Sequence, residues 1–310
     1  MINLDLAITR WSLTNITPVY EHSSKAVYTA TSALFGPVIL KIDQNHDQLT
    51  SEYRMLSAMQ DKHCCRVYDF DEEQGLLLEE RIMPGNVLRE LESLDERIDA
   101  FCQVFTTLHP SDTVIVSCDT ARITSAPYTY DTLAADASPI TPAELESNAP
   151  SHHPTYLEWL TRIRTFSETH PIDESLRKMT AQAYDCCAYL FDKYPERVLL
   201  HGDLHHDNML LRADGSYAMI DPKGVIGPAI LDLPRFLLNE LFPNMPAEPV
   251  SHMKKAIQLI CDKCNFPIED VQKAFFMETV LANMWSVQDD DPADWRELDV
   301  ATQILSTASY

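Results

Sequence analysis

The chain has 310 residues, enough for a substantial core, and its 45% hydrophobic content is ordinary for a globular protein. Its 47 acidic and 24 basic residues give a net charge of −23. That charge argues against a nucleic-acid partner, whose phosphates require Lys and Arg, and it either favours a cationic ligand or simply maintains solubility. We find no apolar run of 18 or more residues and no secretory signal, so we expect no membrane association and a cytoplasmic location.

Residues 1–82 are predicted to form a small lobe with a mixed β-sheet and one main helix. Residues of high β propensity alternate with polar turns, which is typical of short strands. Strands are predicted at 19–20, 26–31, 37–42, 66–70 and 76–79, and the helix at 49–62. A Pro- and Gly-containing breaker cluster at 83–86 marks the predicted boundary of this lobe.

Residues 83–310 are predicted to form a larger, mainly helical lobe, so the fold class is α+β with two lobes. Apolar residues recur there at helical spacing. Helices are predicted at 87–108, 156–167 and 172–194, with further helices towards the C-terminus. Residues 111–154 are rich in Pro, Ser, Thr and Ala and lack periodicity, which predicts a long loop or insertion.

A predicted β-hairpin carries the most informative polar residues. Its short apolar strands are 209–211 and 217–220. If the hairpin folds symmetrically about Asp214, then Asn208 and Asp221 lie side by side at its open end. Two such oxygen donors suit Mg²⁺, and Asp203 lies in the loop just before, where it would accept a hydrogen bond from a substrate hydroxyl. Phosphoryl transfer from ATP needs this set of residues.

The segments LLHGDLHHDNML at 199–210 and IDPKGVIG at 220–227 resemble the aminoglycoside phosphotransferase family of kinase-like enzymes. They look most like its streptomycin 6-kinase and hydroxyurea-resistance kinase branch. The resemblance implies a bilobal protein-kinase-like fold with ATP and Mg²⁺ as cofactors. It implies Asp203 as the catalytic base, Asn208 and Asp221 as magnesium ligands, and His201 and Asp232 as supports of the catalytic loop.

The small lobe offers candidate nucleotide-binding residues. Lys41 ends a predicted strand, as does the lysine that holds the phosphates in such kinases, and Ile39 shares its face and could pack on adenine. Glu52 is the only acid between residues 49 and 60, so it is the natural ion-pair partner of Lys41. A surface lysine on an edge strand is the alternative. The segment resembling the hinge, whose backbone would bond the adenine edge, includes Glu79, Arg81 and Ile82.

The candidate phosphate loop departs from the usual pattern because none of the seven glycines falls between residues 1 and 35. Glycine normally lets the backbone approach phosphate oxygens. In the segment 21–25, amides and hydroxyls of Ser23 and Ser24 would take over that role, and Lys25 would add positive charge. A plain hairpin turn is the alternative.

The expected activity is transfer of the ATP γ-phosphate to a hydroxyl of a small molecule, aminoglycoside-like or otherwise amino-bearing. Only ten residues separate Asp221 from Asp232, which leaves little room for a peptide-docking platform. Asp289, Asp290 and Asp291 either bind a substrate amine or form a solvated helix-capping cluster. Roles in antibiotic resistance, metabolism and toxin function all stay open.

Two other functions are compatible with the sequence. The glycine-free loop motivates a pseudokinase-like module that binds nucleotide or a partner without turnover. The cluster of His201, Asp203, His205 and His206 motivates a metallohydrolase, since zinc favours such ligands.

Overall fold

The structure is a computed structural model that describes residues 3–21, 25–44, 46–59, 63–110 and 153–307. Its N-terminal part is a five-stranded sheet in the order β1-β2-β3-β5-β4. The strands are β1 (Leu13–Glu21), β2 (Lys25–Ser32), β3 (Gly36–Asp43), β4 (Val67–Asp71) and β5 (Leu76–Glu80). All neighbouring strands are antiparallel. The prediction of a mixed sheet is therefore wrong.

Strand periodicity decides which side chains of this sheet face the cleft. Helix α1 (Leu4–Trp11), which was not predicted, covers one face, and every second residue of β2 and β3 packs against it. Val38, Leu40 and Ile42 belong to that cluster. Ile39 and Lys41 therefore point to the opposite face, where helix α2 (His46–Ala58) lies.

The C-terminal part is mainly helical. Together with the N-terminal sheet, it gives the predicted α+β fold class. The helices are α3 (Leu94–Leu108), α4 (Tyr156–Thr169), α5 (Glu174–Lys193), α6 (Pro234–Asn239), α7 (Pro249–Cys264), α8 (Ile268–Gln288) and α9 (Trp295–Ser306). Helix α8 is buried around most of its circumference, which is typical of a helix at the centre of a core. Among the described helices, none is long and apolar enough to cross a membrane.

The predicted helix at 87–108 starts later than expected. Helix α3 begins at Leu94 because the side chain of Ser93 accepts a hydrogen bond from the Glu96 amide and caps it. Val87 instead ends β6 (Pro84–Val87), which pairs with a strand of the C-terminal part, and Leu88–Glu90 form a separate 3-10 turn. The exact lobe boundary, at 82/83, stays a prediction, and most of the predicted 111–154 loop lies outside the described residues.

Five short strands frame the segment that carries the sequence motifs. Strands β7 (Val198–Leu200) and β10 (Val225–Gly227) form one antiparallel pair, and β6, β8 (Met209–Arg212) and β9 (Tyr217–Met219) form a three-stranded sheet. The loop between β7 and β8 therefore has a strand at each end. Backbone hydrogen bonds from Met219 to His63 (2.6 Å) and from Cys65 to Met219 (3.0 Å) join this region to the N-terminal part.

Candidate active site

The hairpin of β8 and β9 folds symmetrically about Asp214, as predicted. Met209 pairs with Met219, and in the next register position the amide of Ile220 donates to the carbonyl of Asn208 at 3.0 Å. The turn is closed by the Asp214 carboxylate, which accepts hydrogen bonds from Ser216. Asn208 and Asp221 consequently lie at the ends of neighbouring strands, at the open end of the hairpin.

A buried carboxylate braces the loop before the hairpin. Asp232 is 1% exposed and accepts hydrogen bonds from the backbone amides of His201 (2.9 Å) and Gly202 (2.8 Å). The same carboxylate also contacts His109, whose Nε2 lies 2.8 Å from Asp232 Oδ2. Gly202 has a φ of +76°, and a Cβ there would lie 2.8 Å from a methyl group of Val225. The backbone conformation and the packing at this point of the loop therefore require glycine.

His201 connects the two segments that carry the candidate acids. Its Nδ1 accepts from the amide of Asp203 at 3.2 Å, and its Nε2 lies 3.0 Å from the carbonyl of Ile220, the residue before Asp221. Nε2 must therefore carry the proton of a neutral ring. Burial lowers the pKa of His201, which agrees with that neutral form.

The carboxylate of Asp203 has one cation beside each oxygen. Arg235 Nε lies 3.4 Å from Oδ1, and Lys223 Nζ lies 3.5 Å from Oδ2. Burial raises the pKa of Asp203, but Arg235 and Lys223 outweigh burial and leave the pKa below its ordinary value. The group is therefore ionised and available as an acceptor. Asn208 Nδ2 donates to the Asp203 carbonyl at 3.0 Å, which fixes the Asn208 amide beside the Asp203 loop.

Lys41 lies at the centre of a buried acidic cluster. Its ammonium pairs with Glu52, as predicted, and also with Asp221 and with Glu79 at 3.1 Å. The side chains of Lys41, Glu52 and Glu79 are 7%, 9% and 2% exposed, whereas that of Asp221 is 51% exposed. Burial alone would raise the pKa of Asp221, but the adjacent ammonium lowers it overall. Asp221 is thus an ionised group at the open side of the cluster.

Glu79 has a side-chain contact that the sequence did not lead us to expect. It was proposed as part of a hinge through its backbone, yet that backbone pairs with Ile39 within the sheet. The carboxylate lies on the Lys41 face, and its Oε1 is buried without a hydrogen-bond partner among the described residues. The strand register would have revealed this contact. Glu79 lies opposite Ile39 on the paired strand, and Ile39 lies on the same face as Lys41, two residues away.

The remaining nucleotide candidates occupy different environments. The amide of Arg81 donates to the Pro37 carbonyl at 3.4 Å, and the side chain of Ile82 is buried. The adenine-binding roles of Ile39, Arg81 and Ile82 stay predictions. Ser23 and Ser24 lie outside the described residues.

A second group of residues that sequence reasoning missed lies beside Asp203. The ring of Trp285 faces Lys223 Nζ at 5.2 Å and the Arg235 guanidinium carbon at 5.5 Å. Trp159 contacts Trp285 edge-on, with ring centroids 5.3 Å apart. Arg235 Nη2 also forms an ion pair with Glu278 Oε1 at 2.6 Å. Lys223 lies in the IDPKGVIG segment, but Trp159, Trp285, Arg235 and Glu278 belong to no short motif, so no local signal in the sequence pointed to those four.

The acidic triplet at 289–291 is exposed and lies in the turn that follows α8. The amide of Asp289 donates to the carbonyl of Trp285 at 3.1 Å, so the triplet begins one turn beyond that ring. Substrate binding by Asp289, Asp290 and Asp291 stays a prediction.

The histidines proposed for a hydrolytic metal site point to separate partners. His206 Nε2 lies 2.7 Å from Glu240 Oε1, and its ring stacks on Phe236. His205 Nδ1 accepts from the amide of Asp207 at 3.2 Å, and His201 is engaged as described above. Within the described ranges, no three His, Cys, Asp or Glu side chains are arranged to hold a metal ion. The four-residue cluster of the metallohydrolase hypothesis is therefore not assembled.

Known proteins share both sequence and fold with this chain. Residues 15–252 match the model of the phosphotransferase enzyme family. Streptomycin 3''-kinase from Klebsiella pneumoniae is 23% identical over 261 residues, covering 82% of this chain and 81% of that protein. These similarities confirm the predicted family but not the streptomycin 6-kinase branch.

Two solved structures illustrate the fold. The choline kinase LicA from Streptococcus pneumoniae superposes with a TM-score of 0.63 at 14% identity, covering 98% of this chain and 99% of that one. A thermostable mutant of the aminoglycoside phosphotransferase APH(4)-Ia gives a TM-score of 0.60 at 14% identity, covering 98% and 99%. Together with the N-terminal sheet and the helical C-terminal part, they confirm the predicted kinase-like α+β fold.

The family model spans well over half of the chain, and it includes the braced loop, the hairpin and the Lys41 cluster. The chain therefore belongs to the phosphotransferase enzyme family, as an ATP-dependent phosphotransferase that acts on a hydroxyl group of a small molecule.

Proposed function

We propose that this enzyme transfers the γ-phosphate of ATP to a hydroxyl of an amino-bearing small molecule, with Asp203 as the base. The observation that carries the proposal is the connection of three residues. Asn208 bonds the backbone of Asp203, and its own carbonyl bonds the residue before Asp221. One loop and one hairpin thus hold together an ionised acceptor and two oxygen donors.

Asp203 acts in this proposal mainly through orientation. Phosphoryl transfer has a loose transition state in which the nucleophile needs alignment more than strong deprotonation. An ionised carboxylate accepts the hydrogen bond of an incoming hydroxyl and directs its lone pair towards the phosphorus. The lowered pKa of Asp203 suits this role because the group stays charged at neutral pH.

Asn208 and Asp221 have the donor chemistry expected for magnesium. Each offers a hard oxygen, and a site of only two protein oxygens leaves positions for phosphate oxygens and water, as Mg²⁺ prefers. When bound, Mg²⁺ neutralises charge on the phosphates. Lys41 adds positive charge for the α and β phosphates, and Glu52 and Glu79 fix its ammonium.

An amino-bearing acceptor fits the surroundings of Asp203. The ring of Trp285 already contacts two cations of the chain, so a substrate ammonium would be attracted instead by the exposed carboxylates of the 289–291 triplet, which begins one turn beyond that ring. The net charge of −23 adds long-range attraction for such a molecule. Two similar proteins are named for phosphorylating amines that carry hydroxyls, streptomycin and choline.

The test is ATP consumption by purified protein against a panel of hydroxylated amines that includes streptomycin and choline. We expect turnover with at least one of them, and a loss of about 10²–10⁴-fold in Asp203→Asn, the range for a positioned base. Asp214→Asn is the matched control, because that aspartate lies at the exposed turn of the same hairpin and should leave turnover unchanged.

Two outcomes would contradict the proposal. Equal turnover by the Asp203→Asn variant and the wild type would exclude Asp203 as the base. A protein that is thermally stabilised by Mg-ATP yet consumes none with any acceptor would favour the pseudokinase-like alternative.

A further inference from the structure

We propose that Arg235 is a positioning residue for the base: its guanidinium, anchored from behind by Glu278 and Tyr156, fixes the carboxylate of Asp203 towards the acceptor hydroxyl. The inference rests on the proposed function of Asp203. It concerns residues outside every sequence motif considered above.

The geometry forms a chain of contacts from the helical core to the base. Arg235 is the second residue of helix α6. Its Nε lies 3.4 Å from Asp203 Oδ1, and its Nη2 lies 2.6 Å from Glu278 Oε1. The other oxygen of Glu278 accepts a hydrogen bond from the hydroxyl of Tyr156. The ring of Trp285 covers the guanidinium at 5.5 Å. Arg235 is thus held on two sides, by Glu278 and Trp285, and Asp203 lies on a third.

Stability alone does not explain this arrangement. The side chains of Arg235 and Glu278 are 13% and 0% exposed, so both charges have lost most of their hydration. A buried ion pair of this kind is often no more stable than apolar residues of similar volume. The planar fork of arginine, by contrast, holds a carboxylate in a defined orientation. The Nε arm of that fork lies at ion-pair distance from Asp203, 3.4 Å from Oδ1, without a hydrogen bond among the described residues, so we infer that it closes on the carboxylate when the acceptor binds.

The second cation near Asp203 is less suited to this task. Lys223 Nζ lies 3.5 Å from Oδ2, but its side chain is 46% exposed on a flexible stem. Its ammonium is free to exchange Asp203 for a phosphate oxygen when nucleotide binds. Arg235 is then the cation that keeps the base aligned throughout the reaction.

Helix α8 supplies a matched comparison two turns earlier. Asp270, also buried, accepts a hydrogen bond from the hydroxyl of Tyr194 at 2.5 Å and pairs with Lys193 Nζ at 2.8 Å. This triad repeats the acid, tyrosine and cation of the Arg235 group on the same helix. In the part of the chain that the structure describes, neither Lys193 nor Tyr194 is paired with Asp203.

The experiment compares Arg235→Gln, Arg235→Lys and Lys193→Gln by steady-state kinetics and thermal unfolding. We expect kcat to fall about 10²-fold in Arg235→Gln with little change in the KM for ATP, because misplacement of a reacting group by about 1 Å costs that much. Arg235→Lys should recover part of the loss, since it keeps the charge but not the fork. Lys193→Gln should lower thermal stability while keeping kcat.

Arg235→Gln with wild-type kcat would overturn the proposal, as would a kcat loss equal to that of Lys193→Gln at the same loss of stability. If Arg235→Gln does not fold, Glu278→Gln replaces it, since this isosteric change removes only the anchor charge; unchanged kcat there also refutes the idea. Failure of the proposed function looks different, because Asp203→Asn would then retain full turnover.

Discussion

The Lys41 cluster allows a stability effect to be worked out in sign and size. In Lys41→Met, the ammonium is removed while Glu52 and Glu79, 9% and 2% exposed, stay buried. Removing one partner of a buried ion pair costs about 3–5 kcal/mol, because the remaining charge has no counter-charge. We therefore expect the free energy of unfolding at pH 7.5 to fall by about that amount.

The same substitution should make stability depend on pH. Burial already raises the pKa of Glu52 and Glu79, and loss of Lys41 raises both further. An acid whose pKa is higher in the folded state takes up a proton on folding. The free-energy cost of burying it is therefore absent below its pKa in the unfolded state, and it grows as pH rises above that value. The cost changes by about 1.4 kcal/mol per pH unit for each acid. Between pH 7.5 and 5.5, the penalty should thus shrink by about 3 kcal/mol if one acid carries it.

Urea unfolding at the two pH values, extrapolated linearly, measures both effects. The double variant Lys41→Met with Glu52→Gln is the control, and it should recover part of the stability at pH 7.5 only. A penalty that is the same at both pH values would refute this reasoning, because it would mean that the acids are not deprived of a counter-charge.

Two further outcomes follow from the candidate site. Asp221 has a φ of 56°, which asparagine tolerates, so Asp221→Asn should keep the backbone conformation. It should lose the thermal stabilisation by Mg-ATP that we expect of the wild type, and an unchanged shift would exclude Asp221 as a ligand. Burial lowers the pKa of His201, so the folded state favours the neutral ring. The free energy of unfolding should therefore decline as pH falls below about 6.5, by up to about 1.4 kcal/mol per pH unit. His201→Asn should flatten that decline in urea titrations, and parallel curves for the two proteins would contradict it.

Local patterns in the sequence were enough to predict the hairpin and the Lys41–Glu52 pair. The turn fixes the register of β8 and β9, so residues 208 and 221 could be brought together without knowledge of the rest of the fold. Glu52 could be found because its helix offers no other acid in the relevant stretch.

Contacts between distant elements could not be predicted in this way. Glu79 meets Lys41 only because β5 inserts beside β3, a pairing of non-consecutive strands. Arg235 and Glu278 are 43 positions apart, and their pairing depends on how α6 packs on α8. Helix α3 began seven residues later than expected because Ser93 capped it, while Val87 joined a strand and Leu88–Glu90 formed a separate 3-10 turn. In each case tertiary packing overrode the local pattern.

The contact between Lys41 and Asp221 bears on the proposed order of binding. Lys41 and Asp221 satisfy each other across the cleft, so each would have to exchange its partner when nucleotide arrives. A divalent cation bound alone at Asp221 would lie beside the Lys41 ammonium and meet its repulsion. Phosphate oxygens arriving with the cation would remove that repulsion, because Lys41 would gain an anionic partner as Asp221 was released. If Asp221 holds the metal as proposed, we therefore expect joint entry of metal and nucleotide rather than separate binding of the metal.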